Sequence, residues 1–328
     1  MTERRTIAVF ATGGTISAVA DARRRHGGGL SGTDLTAFYR DLDDSVELRP
    51  IEVDRIPGRA MTPGNMLTLA TRITEEVSRG CDGVVVLHGT DTLEETAYFL
   101  ALTLSVPVPV VVTGAMRLPA QPGADGAANI RAAVVAACDD RLRDLGPVVA
   151  FADELHLARR VAKVHTTRVD AFASPGHGPV GLVSEGKAIL YSTGRPGTDH
   201  LGMPPAAELE RTRVPLLWVT AGDDGSLCEA AAATSSGLVV AGTGGGHTPP
   251  PFAGRLASVI KTGVPVVLAS RCPAGPLLTD TYGGPGGEGE LAAMGVVPVG
   301  DLPAVKARLR LQVALALGMA PRDAFPIW

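Results

Sequence analysis

The stretch "VVVLHGTDTLEETA", residues 84–97, does more than any other to limit the folds open to this chain. Its four consecutive apolar residues, 84–87, suit a strand covered on both faces, as in the interior of a parallel sheet. From Leu93 onward Leu93, Ala97, Leu100 and Leu104 recur at spacings of three and four while Glu94 and Glu95 turn away, which is helical periodicity. Thr92 with Glu95 three residues on has the spacing of a capping box, so a helix is expected to open there. His88, Gly89, Thr90 and Asp91 are left in the strand-to-helix turn. In open parallel sheets such turns lie at the carboxyl ends of strands, where ligands bind. The plainer reading is that threonine and aspartate merely turn and cap the chain.

The same alternation recurs. Short apolar runs at 7–11, 108–112 and 148–151 are each followed by small or polar turn residues and then a helical pattern, the signature of βαβ units. Residues 186–213 are polar and broken by Gly and Pro, as a linker is. The pattern resumes at 214–219, 237–241 and 264–269. The closing "DLPAVKARLRLQVALALG" reads as a helix with Asp301 able to cap, Pro303 in the first turn and Gly318 past the last apolar position. With 328 residues, 45% hydrophobic and 20% charged, the chain can build two α/β domains with proper cores. The expectation is a larger parallel-sheet domain over 1–190, a linker over 191–212 and a smaller parallel-sheet domain over 213–328.

Composition narrows the function. A net charge of -4 and an aromatic content of 4% argue against a nucleic-acid surface. Cys81, Cys138, Cys228 and Cys272 are far apart, sit in or beside apolar segments and form no CxxC pair, so reduced thiols are expected rather than a disulfide frame or a zinc site. The opening "MTERRTIAVFATGG" places basic residues before apolar ones, but the apolar run stops at Thr12, too short for a signal peptide, and reads as a first strand. No stretch approaches the ~18 apolar residues of a membrane helix. A cytoplasmic protein with neither a nucleic-acid nor a membrane partner is expected. No clustered His/Asp/Glu/Cys set has metal spacing, so neither metal nor cofactor is expected.

Two further segments carry chemistry-bearing side chains. "ATGGTIS", residues 11–17, runs from the first strand into a turn with Thr12, Gly13, Gly14, Thr15 and Ser17. Its glycines let backbone N–H groups approach an anion, and its hydroxyls can attack or donate. It lacks the GxGxxG and GxxxxGK[ST] spacings, which weakens a nucleotide-binding reading. "RRVAKVHTTRVDAF", residues 159–172, sets Lys163 among Thr166, Thr167 and Asp170. Such a lysine is either a solvated surface charge or, stripped of water, a base toward a hydroxyl.

Taken in order, "ATGGTIS", "VVVLHGTDTLEETAYFL", "VVVTGAMR" with "ADGAANIRAAV", and "RRVAKVHTTRVDAF" resemble the bacterial L-asparaginase/glutaminase family. The likeness covers most of the chain, is strongest to about residue 180 and is fainter beyond it. It implies an α/β protein with a larger flavodoxin-like N-terminal domain and a smaller Rossmann-like C-terminal domain. It also implies an amidohydrolase that releases ammonia from L-asparagine or a related small carboxamide through an acyl-threonine intermediate. On this resemblance Thr15 is the nucleophile, on a loop that closes over substrate, and Thr90, Asp91 and Lys163 form a Thr–Lys–Asp relay. Asp91 would also meet the substrate's α-amino group, while Gly89, Ala115 and the backbone of these turns would line the oxyanion site. The family implies a homo-oligomer, a tetramer built as a dimer of dimers with each site at a junction of two chains.

Other residues have structural readings. His88 is a turn-anchoring hydrogen-bonder ahead of a base. Met116 and Arg117 read as pocket wall and structural charge, and Asp125 as the N-cap of the helix that follows it. The chain also departs from the family pattern. The loop "SAVADARRRHGGGLSG" has no tyrosine, leaving His26 as a substitute. Gly58 and Arg59 stand where a serine–glutamine pair grips the substrate's α-carboxylate. In "GTGGGHTPP" His247 falls where an asparagine reaches the neighbouring subunit's site, and the acid that follows falls at Tyr282 or Glu288. Two alternatives stand beside the asparaginase: an ammonia-supplying subunit of an amidotransferase, disfavoured by how soon the first strand begins, and an amidase of the same fold for a non-asparagine substrate. A non-catalytic ligand sensor is a third, against which Thr15, Thr90, Asp91 and Lys163 argue.

Overall fold

The computed structural model describes residues 4–20, 26–29, 34, 45–191 and 199–325. It separates into two compact units, Met1–His200 and Leu201–Trp328. Residues 192–198 of the segment read as a linker lie outside the described residues.

The first unit contains strands β1 (Arg5–Ala11), β2 (Ala18–Ala20), β3 (His26–Gly29), β4 (Val46–Glu52), β5 (Gly83–Leu87), β6 (Val110–Thr113), β7 (Val148–Phe151), β8 (Glu154–Leu157), β9 (Ala162–Lys163), β10 (Phe172–Ala173), β11 (Gly181–Ser184) and β12 (Lys187–Leu190). Its main helices are α1 (Pro63–Ser78), α2 (Leu93–Thr103) and α3 (Gly126–Ala137). Eight strands form one sheet in the order β12-β11-β8-β7-β6-β5-β1-β4. From β4 to β7 every pairing is parallel, as the alternation of strand and helix requires.

Beyond β7 the sheet continues antiparallel through β8, β11 and β12, an extension that the parallel-sheet expectation does not contain. Its cause is local. The turns Ala152–Asp153 and Glu185–Gly186 hold just two residues, all four at positive φ, too short for a helical crossover and of the hand that matches strand twist. Ala152 and Asp153 are not the Asn-Gly pair that advertises such a turn, and "FADELHL" therefore reads poorly from sequence.

The parallel strands are apolar on both sides because both are covered. Ile7, Val9, Val85 and Leu87 pack with Ile130, Ala133 and Val134 of α3. Ala8, Phe10, Val84 and Val86 pack with Leu69, Ile73, Leu93 and Leu100 of α1 and α2. Each such side chain contributes roughly 1.5–3 kcal/mol of burial free energy, which fixes strand order and register.

α1 opens on a true capping box: Thr62 Oγ1 accepts from the Asn65 N–H (3.2 Å) and Asn65 Oδ1 from the Thr62 N–H (3.1 Å). α2 does not. Thr92 occupies its N-cap position, but no side chain caps the helix, and the Thr92 hydroxyl donates to Gly58 O instead (2.7 Å). The capping box expected from the Thr92–Glu95 spacing is therefore not closed by Thr92. α3 behaves likewise, since Asp125 is its N-cap residue without capping it.

The second unit carries a four-stranded, wholly parallel sheet in the order β13 (Leu216–Trp218), β14 (Leu238–Gly242), β15 (Val266–Ser270), β16 (Val297–Pro298). Its helices are α4 (Ala206–Arg211), α5 (Cys228–Ala232), α6 (Pro250–Lys261), α7 (Glu288–Ala293), α8 (Ala304–Ala316) and α9 (Pro321–Ala324). The closing helical pattern is α8: Pro303 takes the N-cap position, and Gly318 follows at φ 73 as a left-handed terminator. Asp301 lies before the cap. Cys81 and Cys228 are buried and Cys138 half-buried, but Cys272 is exposed, unlike the apolar position expected of it.

Candidate active site

Three turns meet because three strands end together. β1, β5 and β6 are adjacent, with Ala11 registered against Leu87 and Leu87 against Thr113, so the segments that follow leave the sheet side by side. Thr12 fastens the first to the second, its N–H and its hydroxyl both donating to Leu87 O at 3.0 Å.

The contact between these turns is backbone against backbone. A Cβ on Gly14 would lie 2.4 Å from Gly89 Cα, and one on Gly89 would lie 2.9 Å from Gly58 N. Gly13 and Gly14 also sit at φ 102 and 95, where side-chain-bearing residues are strained. Gly58 is therefore buried against Gly89 and Asp91, and its missing side chain makes room for backbone, not for a larger substrate. The Thr92 hydroxyl bond to Gly58 O locks this segment, which follows β4, in place. Arg59, next in the chain and in a short 3-10 turn, is exposed.

Thr90, Asp91 and Lys163 come together. Lys163 arrives on β9, paired with Phe172 of β10, and its Nζ lies 2.9 Å from Thr90 Oγ1 and 3.2 Å from Asp91 Oδ1. The Lys163 side chain is 17% exposed and that of Asp91 60%, so the ammonium is held largely out of water with its carboxylate on the solvent side. The Lys163 N–H also donates to Glu94 Oε1 at 3.4 Å, a contact that nothing in the sequence pattern singles out. Thr15, half-buried, opens the 3-10 turn Thr15–Ser17, and Ile16 beside it is anchored in the core with Ala115 and Ile130. The side chain of His26, expected to stand in for the missing tyrosine, lies outside the described residues.

His88 is fully buried. Its Nδ1 is 2.7 Å from Gly89 O and its Nε2 3.0 Å from Thr96 Oγ1. A carbonyl can only accept, so Nδ1 carries the proton and Nε2 accepts from the threonine. Burial pushes the imidazole down to about 4, against which the bond to Gly89 works only weakly. His88 is a neutral pin in the turn.

Ala115 is buried, and its neighbour Gly114 lies against Thr90: a Cβ on Gly114 would lie 3.2 Å from the Thr90 methyl. Asp125 accepts from the N–H groups of Met116 and Arg117, both at 2.9 Å, and Asn129 Nδ2 donates to Gly114 O at 3.0 Å. In the second unit His247 Nε2 is 2.9 Å from Glu288 Oε2, and its ring meets Tyr282 edge-on at 4.9 Å. Burial tends to raise the Glu288 carboxyl, but the backbone N–H groups of Tyr282, Glu288 and Thr281, together with His247, hold it down at about 2. A cavity of about 450 Å³ lined by Leu104, Val110, Pro147 and Leu157 opens at the opposite, amino-terminal edge of the parallel strands and does not include this cluster.

A hydroxyl, an amine and a carboxylate in hydrogen-bonded sequence, beside glycine turns rich in backbone N–H, can activate an oxygen nucleophile and stabilise a developing oxyanion. Comparison with known proteins shows the family of the chain. Residues 6–195 match the family described as Asparaginase, N-terminal, and residues 213–324 the Glutaminase/Asparaginase C-terminal domain. The chain is 38% identical to the probable L-asparaginase of Deinococcus radiodurans, over 97% of this chain and 95% of that protein. It is 33% identical to a subunit of the glutamyl-tRNA(Gln) amidotransferase of Halobacterium salinarum, over 97% of this chain and 77% of that one. The crystal structure of the probable cytoplasmic L-asparaginase from Campylobacter jejuni superimposes with a TM-score of 0.85 at 31% identity, covering 98% of both chains.

Two outcomes follow from this geometry. Because His88 is lowered in the folded state, its contribution is intact above the unfolded value near 6.5 and is lost as pH falls from there to about 4. The full loss is of order 3 kcal/mol. Thermal unfolding followed across that range should show a steep limb in the native protein that is flattened in His88→Gln. Second, Gly14→Ala should leave the circular dichroism of the fold unchanged while lowering kcat/KM at least about tenfold, since the added carbon forces two backbones apart. Unchanged kinetics would show that the two turns need not touch.

Proposed function

The chain belongs to the asparaginase family and is an asparaginase-type amidohydrolase, and on that premise we propose that it hydrolyses L-asparagine, or a closely related small carboxamide, to the acid and ammonia through an acyl-threonine intermediate. The observation that carries this reading is the placement of Lys163 Nζ at 2.9 Å from Thr90 Oγ1 and 3.2 Å from Asp91 Oδ1, although Lys163 lies more than seventy residues further along the chain. Thr15 Oγ attacks the amide carbon while its proton passes by way of Thr90 and Lys163 toward the leaving nitrogen. The C–N bond breaks, ammonia departs and water cleaves the resulting ester, returning the hydroxyl to Thr15. Asp91 holds the lysine and meets the substrate's amino group. Gly89 and Ala115 line the carbonyl site through their backbones, and Gly58 and Arg59 border the carboxylate end. His247 reaches the site of a neighbouring copy in a dimer of dimers. In this reading 1–190 is the catalytic domain, 191–212 the linker and 213–328 the second domain, and the protein works in the cytoplasm, in keeping with the name of its Campylobacter neighbour. Among the described residues no helix is long and apolar enough to cross a membrane.

One observation favours a narrower variant of this reading. Arg59 is exposed beside the Gly58–Asp91 contact, where its guanidinium can grip a carboxylate with a reach different from that of the family's neutral pair. A carboxamide other than asparagine is then the better substrate. The likeness to an amidotransferase subunit keeps an ammonia-supplying role as the remaining alternative, and co-purification of a synthetase-like partner would identify it.

Ammonia release should be measured on L- and D-asparagine, glutamine, β-aspartyl dipeptides and simple carboxamides. Thr15→Ala and Thr90→Val should each nearly abolish turnover with the fold intact, and hydroxylamine should divert the native acyl-enzyme to a hydroxamate. Retention of most kcat by Thr15→Ala would overturn the nucleophile assignment. Arg59→Gln should cost about 2 kcal/mol, roughly thirtyfold in kcat/KM, on the best substrate; less than about twofold on every substrate, well under one hydrogen bond, places Arg59 outside the site. Light scattering that finds an active monomer would rule out the shared site.

A further inference from the structure

His165 follows Lys163 by two residues and is exposed, yet its ring is committed. Its Nδ1 lies 3.1 Å from the backbone nitrogens of both Thr167 and Arg168. A backbone N–H can only donate, so Nδ1 is the accepting nitrogen and the ring is neutral, with its proton on Nε2. The bond to Thr167 spans two residues, the pattern by which Asn and Asp side chains close a turn. Here an imidazole closes it, and an imidazole, unlike an amide, is protonated in mild acid.

The turn matters because the ribbon around it is slight. β9 and β10 form a separate two-stranded sheet in which Lys163 pairs with Phe172 and Ala162 with Ala173, and the Val164 N–H donates to Ala171 O at 2.8 Å. A two-stranded ribbon is marginal by itself. Its footing is apolar: Val161 and Ala171 are fully buried, and Phe172 packs on Phe151 with ring centroids 4.6 Å apart. Between those anchors residues 162–170 are all half-buried or exposed, so hydrogen bonds rather than packing set the course of the chain there. Lys163 lies in that stretch, with its Nζ 2.9 Å from Thr90 Oγ1.

The charges about the ring leave it free to titrate. Arg168 and Asp170 of the same turn are joined to each other, Arg168 Nε donating to Asp170 Oδ1 at 2.8 Å. The bond from Arg168, and to a lesser degree the charge of an imidazolium at His165, hold the Asp170 carboxyl below the usual carboxylate range. Asp170 is therefore an anion throughout mild acid and does not oppose protonation of the ring. Lys163 Nζ is turned to Thr90 and Asp91, and from α2 Glu94 meets the ribbon at the Lys163 N–H. Phe172 and Ala173 of β10 bring no charge.

We propose that His165 is a positioning residue for Lys163: its neutral ring, by accepting the Thr167 and Arg168 N–H groups, holds the β9–β10 ribbon in the form that delivers Lys163 Nζ to Thr90, and its protonation in acid releases the turn and lowers turnover. This rests on the amidohydrolase reading above, with Lys163 in the relay, and deepens it. A proton on Nδ1 puts a hydrogen where two N–H groups already point, so both bonds are lost together.

The test follows kcat and KM for the best carboxamide from about pH 5 to about pH 8.5, the range of imidazole titration, in the native protein, His165→Asn and His165→Ala. Asn Oδ1 stands as many bonds from Cα as Nδ1 does, accepts the same N–H groups and does not titrate. Dividing the His165→Asn profile of kcat by the native one cancels the ionisations that the two share, that of Lys163 included. The quotient should rise at least about threefold from the alkaline to the acid end along a one-proton curve, the lower end of one hydrogen bond's effect. At the alkaline end His165→Asn should keep kcat within about twofold, and His165→Ala should lower it at least about threefold while KM stays within about twofold. A role confined to stability shifts the unfolding midpoints and leaves the quotient flat. A flat quotient, or full kcat in His165→Ala, overturns the proposal. If neither variant folds, amide hydrogen exchange in the native protein decides. Corrected for intrinsic rates, the Thr167 and Arg168 N–H groups should lose protection at least about threefold as pH falls through the same range, and unchanged protection overturns the proposal. Turnover of no carboxamide by the native protein overturns the amidohydrolase reading and this inference together, whereas turnover with a flat quotient overturns this inference alone.

Discussion

Everything chemical in the first unit depends on how closely backbones can approach. Gly14, Gly58 and Gly89 come from three separate segments, and their main chains touch where a single methyl group would separate them. Side chains at these positions would hold the turns at ordinary packing distances, several ångströms further apart. Thr15, Thr90 and the Gly58–Arg59 turn would then belong to three different surfaces. The glycines cost conformational entropy in the unfolded chain. That cost is met by the core beneath, where β1 and β5 are buried on both faces and leave the turns no freedom to drift.

A second theme is polar side chains taken from local duty. Thr92 stands at the head of α2 and Asp125 at the head of α3, and both would ordinarily bond to their own helix. Thr92 instead ties α2 to the Gly58 turn, and Asp125 ties α3 to the Ala115 loop. The helices do not suffer, because their apolar faces are packed on the sheet and packing outweighs a cap worth about 1 kcal/mol. His88 is the extreme case: an ionisable group kept neutral by burial and used as a strut between Gly89 and Thr96. The result is a set of turns bonded to one another more than to their own elements.

The antiparallel end of the sheet supplies what the parallel part lacks. Parallel strands with helical crossovers place threonines and glycines at one edge but offer no lysine there. The tight turn at Ala152–Asp153 sends the chain back along β8, and the short β9–β10 ribbon that follows carries Lys163 to Thr90. Asn129 bonds the first residue of that turn and the Gly114 carbonyl at once, so one buried amide couples the returning chain to the Ala115 loop.

Read alone, the sequence determined much of this. The run 84–87 followed by helical spacing from Leu93 requires a strand, a turn and a helix, since both periodicities are set by local geometry and need no partner. Short motifs in fixed order carry the family resemblance, and through it Thr15, Thr90, Asp91 and Lys163 stand out as candidates, because the motifs are local. What the tertiary structure alone decided is direction. Thr92 with Glu95 has capping-box spacing, and only the arrival of Gly58 O turns the hydroxyl elsewhere. Gly58 reads as the loss of a gripping side chain, and only the approach of Gly89 shows what the missing side chain makes way for. Ala152 and Asp153 carry no hairpin signature, yet strand pairing on both sides forces them to positive φ. In each case the deciding partner is distant in the chain, and a one-dimensional pattern holds no information about which distant backbone will come within hydrogen-bond range.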